Sequence, residues 1–199
     1  MTASNHRQAD YPISPVFLNR WSPRAYNGDV ISEQELLTIL EAGRWAPSAF
    51  NSQPWRFVYA LRGTEEWNTL FPLLNDFNQS WAANASALVL IVSKTHFAAP
   101  GTTEEKPSYS HSFDTGAAWG AIAAQASISG FQAHGMTGIH FDKAAEVLGI
   151  PEGYRIEAAV AIGRLGDKAQ LPDYLQARET PSPRRPLGEI AFNGKFIAE

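Results

Sequence analysis

The chain has 199 residues, a length that one domain accommodates and that can bury a sizeable core without disulfide or metal staples. Hydrophobic residues make up 44% and charged residues 18%, which excludes a disordered chain. The formal net charge is −4 with no basic stripe to neutralise nucleic-acid phosphates, and the absence of cysteine removes thiol nucleophiles, Fe–S clusters and thiolate zinc sites.

In chain order, the first element is a helix predicted over residues 32–45. Ser32 and Glu35 form a capping box, Leu36, Leu37, Ile39, Leu40 and Gly43 recur at helical spacing, and Pro47 stops the helix. Trp55–Leu61, rich in aromatic and β-branched residues, reads as a strand. Thr64 is placed to cap a short helix carrying Trp67, Leu70, Phe71 and Leu74, and a second helical piece starts near Asn78. Residues 87–93 are continuously apolar and read as a central strand covered on both faces. That stretch falls far short of the ~20 residues a membrane helix needs. The polar start of the chain has no signal-like apolar core, so a soluble, cytoplasmic protein is expected. Residues 96–111 read as a long loop. Asp114 is expected to cap a helix of small residues over 115–129, suited to close approach of another backbone. A helix over 142–148 ends at Gly149, and residues 156–162 form a third strand. After Gly166 the composition turns to Pro, Arg and Gly, a tail expected to lie on another surface. Helices alternating with a few strands fit one domain with a sheet covered on both faces.

Sites with recognisable signatures are missing. The glycine pair Gly163 and Gly166 opens no helix, so no Rossmann dinucleotide site is expected. There is no P-loop and no G-x-S-x-G nucleophile elbow. His6, His96, His111, His134 and His140 have no ligand spacing, and no metal site is expected. Two arginine-bearing pieces stand at opposite ends of the chain: Arg20-Trp21-Ser22-Pro23-Arg24, able to converge on a phosphate, and Arg184-Arg185 between prolines. A third piece, residues 47–55, sets Ser48, Asn51, Ser52 and Gln53 between rigid prolines, a loop able to offer amides and hydroxyls to a flat polar ligand. Read alone, the arginines fit a solvated surface, and the loop a structural connection, as well as they fit a site.

Taken together, in this order and spacing, the three pieces resemble the nitroreductase family of FMN-dependent oxidoreductases. The R-x-S-x-R segment followed by Tyr26 is joined by a helix end and loop reading G-R-W-A-P-S-x-x-N-x-Q-P-W-x-F over 43–57, with Gly43 where alanine is usual. Asn78 stands ahead of the apolar strand, Asp114 opens D-x-G-A-A, and His134, Met136 and Gly138 form H-x-M-x-G, followed by Ile139-His140 where F-D is usual. L-G-I-P-E-G-Y and I-G-R-L-G-D flank the last core strand, and R-R-P-L-x-E and G-K-F close the tail, so that the resemblance covers residues 16–196.

The resemblance implies an α+β fold, a three-layer α/β/α sandwich with a mixed, mostly antiparallel sheet flanked by helices. It implies one domain over 1–199, with an N-terminal extension over 1–15. A C-terminal arm over 167–199 would be exchanged in a homodimer, with the small-residue helix packing on its mate. Arg20, Trp21, Ser22, Arg24, Arg184 and Arg185 would hold the FMN phosphate and ribityl chain, and Asn78 the pyrimidine edge of the ring. Pro47, Ser48, Ala49 and Asn51 would approach from the other subunit, and backbone N–H groups of Thr137 and Gly138 would lie beside flavin N5. Trp81, at a position often basic in the family, would line the substrate pocket with Tyr109 and Phe113, under a lid formed by residues 96–111. No catalytic side chain is implied, because the flavin carries the chemistry: hydride from NAD(P)H to flavin, then to a nitroaromatic, quinone or similar flat acceptor. The same fold and flavin also serve reductive dehalogenation, enoate reduction, flavin cleavage or FMN binding without turnover.

Overall fold

The computed structural model describes residues 5–198. Its elements run α1 (Pro15–Asn19), α2 (Glu33–Arg44), β1 (Trp55–Leu61), α3 (Glu65–Leu70), α4 (Asp76–Ala82), β2 (Ala87–Lys94), β3 (His96–Ala98), β4 (Glu105–Pro107), α5 (His111–Ile128), β5 (Gln132–Met136), α6 (Phe141–Val147), β6 (Tyr154–Gly163) and α7 (Asp173–Gln176). Residues 1–4 of the expected N-terminal extension and Glu199 of the expected arm lie outside the described residues.

Local signals act as the sequence requires. Ser32 Oγ accepts from the Glu35 N–H while the Glu35 carboxylate accepts from the Ser32 N–H, closing the capping box of α2. Thr64 Oγ1 accepts from Trp67 N–H to start α3, and Asn75 Oδ1 does the same for α4 through Asn78 N–H. Gly149 takes the left-handed conformation after α6, with φ of 62°.

The main sheet has the order β1-β2-β6-β5, and every pairing among its strands is antiparallel. The antiparallel character expected of the sheet is therefore complete among the described residues. Period-2 alternation splits β2 between two cores. Leu88, Leu90 and Val92 join Tyr26, Trp67, Leu70, Trp81 and Leu175 on one face, and Ala87, Val89 and Ile91 join Leu36, Ile39, Ile122 and Phe131 on the other. α2 and α5 thus cover one face and α3, α4, α6 and α7 the other, giving the three layers. Gly43 belongs to this packing, since a Cβ there would sit 2.7 Å from Ile122 Cγ1.

Several expectations change. Residues 96–111 are not a plain loop, because β3 and β4 pair as a small hairpin, His96 opposite Pro107 and Ala98 opposite Glu105. Asp114 does not cap α5. The helix starts at His111 after Ser110, and Asp114 sits buried in the first turn. β5, α1 and α7 were not expected. The start of the tail also has a place in this chain's own core, where Leu171 and Leu175 are buried. No helix among the described residues is long and apolar enough to cross a membrane.

The end of β6 is closed by Gly166, whose N–H donates to Ala25 O over 2.8 Å. A Cβ on Gly166 would lie 2.6 Å from the backbone carbon of Tyr26 and 2.7 Å from Asn27 N, so the backbone itself would have to move. Gly166→Ala should cost about 1–3 kcal/mol in urea unfolding, as overpacking does. Ser32→Ala, which removes only a cap, should cost about 1 kcal/mol.

Candidate functional site

Residues 20–26 cross the end of the sheet and are clamped from three sides. Tyr26 is fully buried and its hydroxyl donates to Ala161 O over 3.0 Å; burial, with Glu179 nearby, drives its ionisation far above the usual tyrosine range. Glu179, only 6% exposed, brings a carboxylate from the far end of the chain. Its Oε1 accepts from Arg24 N–H at 2.6 Å and Ala25 N–H at 2.8 Å. On the third side His134 Nδ1 lies 2.9 Å from Pro23 O. A carbonyl only accepts, so Nδ1 carries the proton. Burial pushes this imidazole down to about 4; the bonds to Pro23 and Ser22 carbonyls oppose that and the Arg24 charge adds to it.

The clamp fixes where the arginines point. Arg24 lies with its guanidinium carbon 5.9 Å from the Trp81 ring centroid, and its buried Nε has no hydrogen-bond partner among the described residues. Arg20 is half-buried, and burial and the Arg184 charge lower its pKa. Arg7 is lowered in turn by burial, Arg184 and Arg20. Arg7 ties the pieces together: Nη1 donates to Arg20 O at 2.7 Å and Nε to Ser182 O at 2.7 Å. Leu187 N–H donates to Asp10 Oδ2 at 2.9 Å, so the first and last segments run against each other. No ion pair among the described residues involves Arg7, Arg20 or Arg184. The result is a cluster of guanidinium groups with no ion-paired carboxylate among the described residues, an arrangement whose chemistry suits an oxyanion.

A second group forms where α4 meets the end of β5. Asn78 Nδ2 donates to Gly138 O at 3.0 Å and Asn75 N–H to the same oxygen at 2.9 Å. A Cβ at position 138 would sit 2.5 Å from Asn78 Nδ2, so only glycine lets the Thr137-Gly138 backbone lie this close.

The loop after α2 is held elsewhere. Ala49 N–H donates to Asp114 Oδ2 at 3.1 Å, the same oxygen that takes the Ser110 hydroxyl at 2.8 Å. Phe50, Asn51 and Gln53 all have left-handed φ, of 53°, 53° and 46°, a conformation non-glycine residues keep only where their surroundings hold them. Pro47, Ala49 and Asn51 are exposed and Ser48 half-buried, and no hydrogen bond joins this loop to residues 20–24, 78 or 137–138 within the one chain.

The family model described as the nitroreductase family matches residues 18–79. A crystal structure of an oxidoreductase containing FMN is 52% identical, covers 100% of both chains and superposes with a TM-score of 0.94. A 15.4 kDa protein of Mycolicibacterium smegmatis, uncharacterised, is 34% identical over 150 residues, which is 71% of this chain and 97% of that protein. The major NAD(P)H-flavin oxidoreductase of Aliivibrio fischeri is 28% identical over 90 residues, 44% of this chain and 41% of its own. The chain belongs to the nitroreductase family.

Within this nitroreductase-family chain the structure unites Arg20 with Arg184, Arg24 with Trp81, and Asn78 with Gly138. It holds residues 47–51 apart from them. Trp21 and Ser22 are half-buried in the clamped segment, and Arg185 follows Arg184 in the exposed arm. Trp81 does not line an open pocket. It is 3% exposed and packs in the core against His134, with ring centroids 4.7 Å apart, and against Tyr26 at 6.4 Å. Tyr109 and Phe113 do not meet it either, since both project fully into solvent at the start of α5. Arg7 and Glu179 escaped the sequence reading, because an isolated arginine and an isolated glutamate carry no motif.

Two outcomes follow from the clamp. Glu179→Ala leaves two buried N–H groups unpaired and should cost about 3 kcal/mol or more in chemical denaturation; Glu179→Gln, which keeps an acceptor, should cost less. His134 binds its proton less readily folded than unfolded, so the unfolded state takes up more protons as pH falls from about 6.5 to about 4. Stability should therefore be full above pH 6.5 and decline by up to about 3 kcal/mol toward pH 4, and His134→Gln should flatten that part of the profile.

Proposed function

We propose that the chain is a cytoplasmic, homodimeric FMN-dependent oxidoreductase. The observation that carries this reading is the cluster of Arg7, Arg20 and Arg184, which has no ion-paired carboxylate among the described residues. Like charges brought together and partly desolvated persist where an anion neutralises them, and a phosphate monoester is matched to guanidinium forks. The rest of the site fits the same group. The orphaned Arg24 Nε offers a further donor, and the Asn75 and Asn78 side chains, packed where a Cβ on Gly138 would lie, fix the backbone of residues 137–138.

In this reading Arg20, Arg184 and Arg185, with Arg7, hold the phosphate, and Trp21, Ser22 and Arg24 border the ribityl chain. Asn78 spends its Nδ2 on Gly138 O, so its Oδ1 meets the N–H edge of the ring. The Thr137 and Gly138 N–H groups stand beside N5. Bound there, FMN supplies the two-electron chemistry, taking hydride from NAD(P)H and returning it to a nitroaromatic, quinone or similar flat acceptor.

The protein's part is to bind, orient and exclude water. Pro47, Ser48, Ala49 and Asn51 do so from the partner subunit. Support for the dimer comes from α5, where Phe113 and Ile128 are exposed and a Cβ at Gly116 or Gly120 would meet nothing within 4 Å, leaving a face open to a second helix. The arm beyond residue 180 is largely exposed along its own chain, including Leu187, Ile190 and Phe196, and wraps the partner. Tyr109 and Phe113 reach the acceptor only from such a neighbour, and Trp81 acts through the core behind Arg24.

The test is a visible spectrum of the purified protein, followed by anaerobic NADH or NADPH. Flavin bands should bleach and return on adding a nitroaromatic or a quinone. Bleaching without reoxidation by either acceptor would move the reading to another reduction on the same flavin, and bands that persist with both nucleotides would make the protein a flavin binder. Arg20→Ala and Arg184→Ala should each weaken flavin retention at least about tenfold, as loss of a charge-assisted contact does. Unchanged flavin content in both would sink the phosphate assignment.

A further inference from the structure

Between the left-handed turn after Ser48 and the β3–β4 hairpin lies a cavity of about 260 Å³, away from the guanidinium cluster. Its lining includes Arg56, Lys94 and His96 and contains no Asp or Glu. Arg56 is anchored by one end only. Its Nη1 donates to Gln53 O at 3.0 Å and Trp55 O at 2.7 Å, leaving Nε and Nη2 without a protein partner among the described residues. Lys94 pairs with Glu105 across the foot of the hairpin, which balances one of the two cations and leaves the other. His96 meets Thr95 Oγ1 through Nδ1 at 2.9 Å, so its Nε2 remains available. Ser52 Oγ is buried on the same wall with no hydrogen-bond partner. An orphaned buried hydroxyl beside a half-committed guanidinium lacks an acceptor.

The remaining wall is aromatic. Phe50, turned outward by its left-handed backbone, stacks on Phe97 of β3 with centroids 5.6 Å apart and planes 23° apart. The volume lies just under the ~300–1,000 Å³ of typical small-molecule pockets, enough for one ring and a charged group.

We propose that this cavity binds an aromatic carboxylate. The carboxylate is taken by the free edge of Arg56 with Lys94 and the Ser52 hydroxyl, and the ring lies against Phe50 and Phe97. Asn51 lines the same cavity and is among the residues that approach the partner's flavin. Resting on that reading, the acceptor the enzyme selects is an aromatic carboxylate that also carries a nitro group, the nitro group taking the hydride and a proton while the carboxylate only anchors it. The binding itself needs only residues of one chain.

Calorimetric titration of the purified protein with benzoate, benzamide and inorganic phosphate tests the assignment. Benzoate should saturate, with benzamide and phosphate each at least about tenfold weaker. Arg56→Gln and Lys94→Gln should each weaken benzoate about tenfold, with flavin content and melting temperature at wild-type values. Arg56→Lys, which keeps the charge and loses the fork, should fall between. The proposal is overturned by equal affinity for benzoate and benzamide, by no saturation up to about 10 mM, or by benzoate affinity indifferent to Arg56→Gln. Loss of benzoate binding in Arg20→Ala with Arg56→Gln unaffected would put the carboxylate at the guanidinium cluster and overturn it as well. Protein that retains no flavin yet binds benzoate through Arg56 would separate the two readings, sinking the proposed function and leaving the cavity.

Discussion

Three guanidinium groups sit together against their own repulsion, and the architecture around them exists to hold them there. Arg7 donates to the backbone of residue 20 and of residue 182, so a cation is itself the strap between the other two. Behind them, the Glu179 carboxylate gathers the N–H groups of Arg24 and Ala25. Glu179 forms no ion pair with Arg7, Arg20 or Arg184 among the described residues. A buried carboxylate that gathers two peptide N–H groups fixes the path of the segment, while its other oxygen, Glu179 Oε2, is buried with no hydrogen-bond partner among the described residues.

What the sequence reveals of this arrangement depends on how local each signal is. The capping box of α2, the strand at Trp55–Leu61 and the two-faced strand β2 are legible because their information lies within a few residues. β5 was illegible for the opposite reason. Gln132-Ala133-His134-Gly135-Met136 has poor strand propensity, and its conformation is imposed by the ladder to β6 from Gln132–Gly163 to Met136–Ala159. Asp114 looks like a cap, but its carboxylate serves Ala49 from a distant loop, a pairing no spacing rule contains.

The site divides along the same line. Arg20, Arg184, Asn78 and Gly138 stand in motifs and were found as motif members, and the structure brings them together in pairs. Trp81 was legible only as a large aromatic: in this chain its indole is buried and lies tilted against the His134 ring, a contact with a residue 53 positions away that no local pattern contains. Arg7 and Glu179 matter through contacts made across most of the chain, and an isolated residue announces nothing of the kind.

Those long contacts also set an order of events during synthesis. The bonds from Arg24 to Glu179, from Arg7 to Ser182 and from Leu187 to Asp10 span 155, 175 and 177 residues of sequence. The sheet strands β1 and β2 can pair as soon as they leave the ribosome, but the clamp around residue 24 has no partner until residue 179 has emerged. Such distant closures come late, after the loop entropy of the whole chain has been overcome. A nascent chain therefore carries the guanidinium cluster as two separate basic segments, and a stalled or truncated product would be folded in its middle layers while the cluster and the clamp behind it are still unassembled.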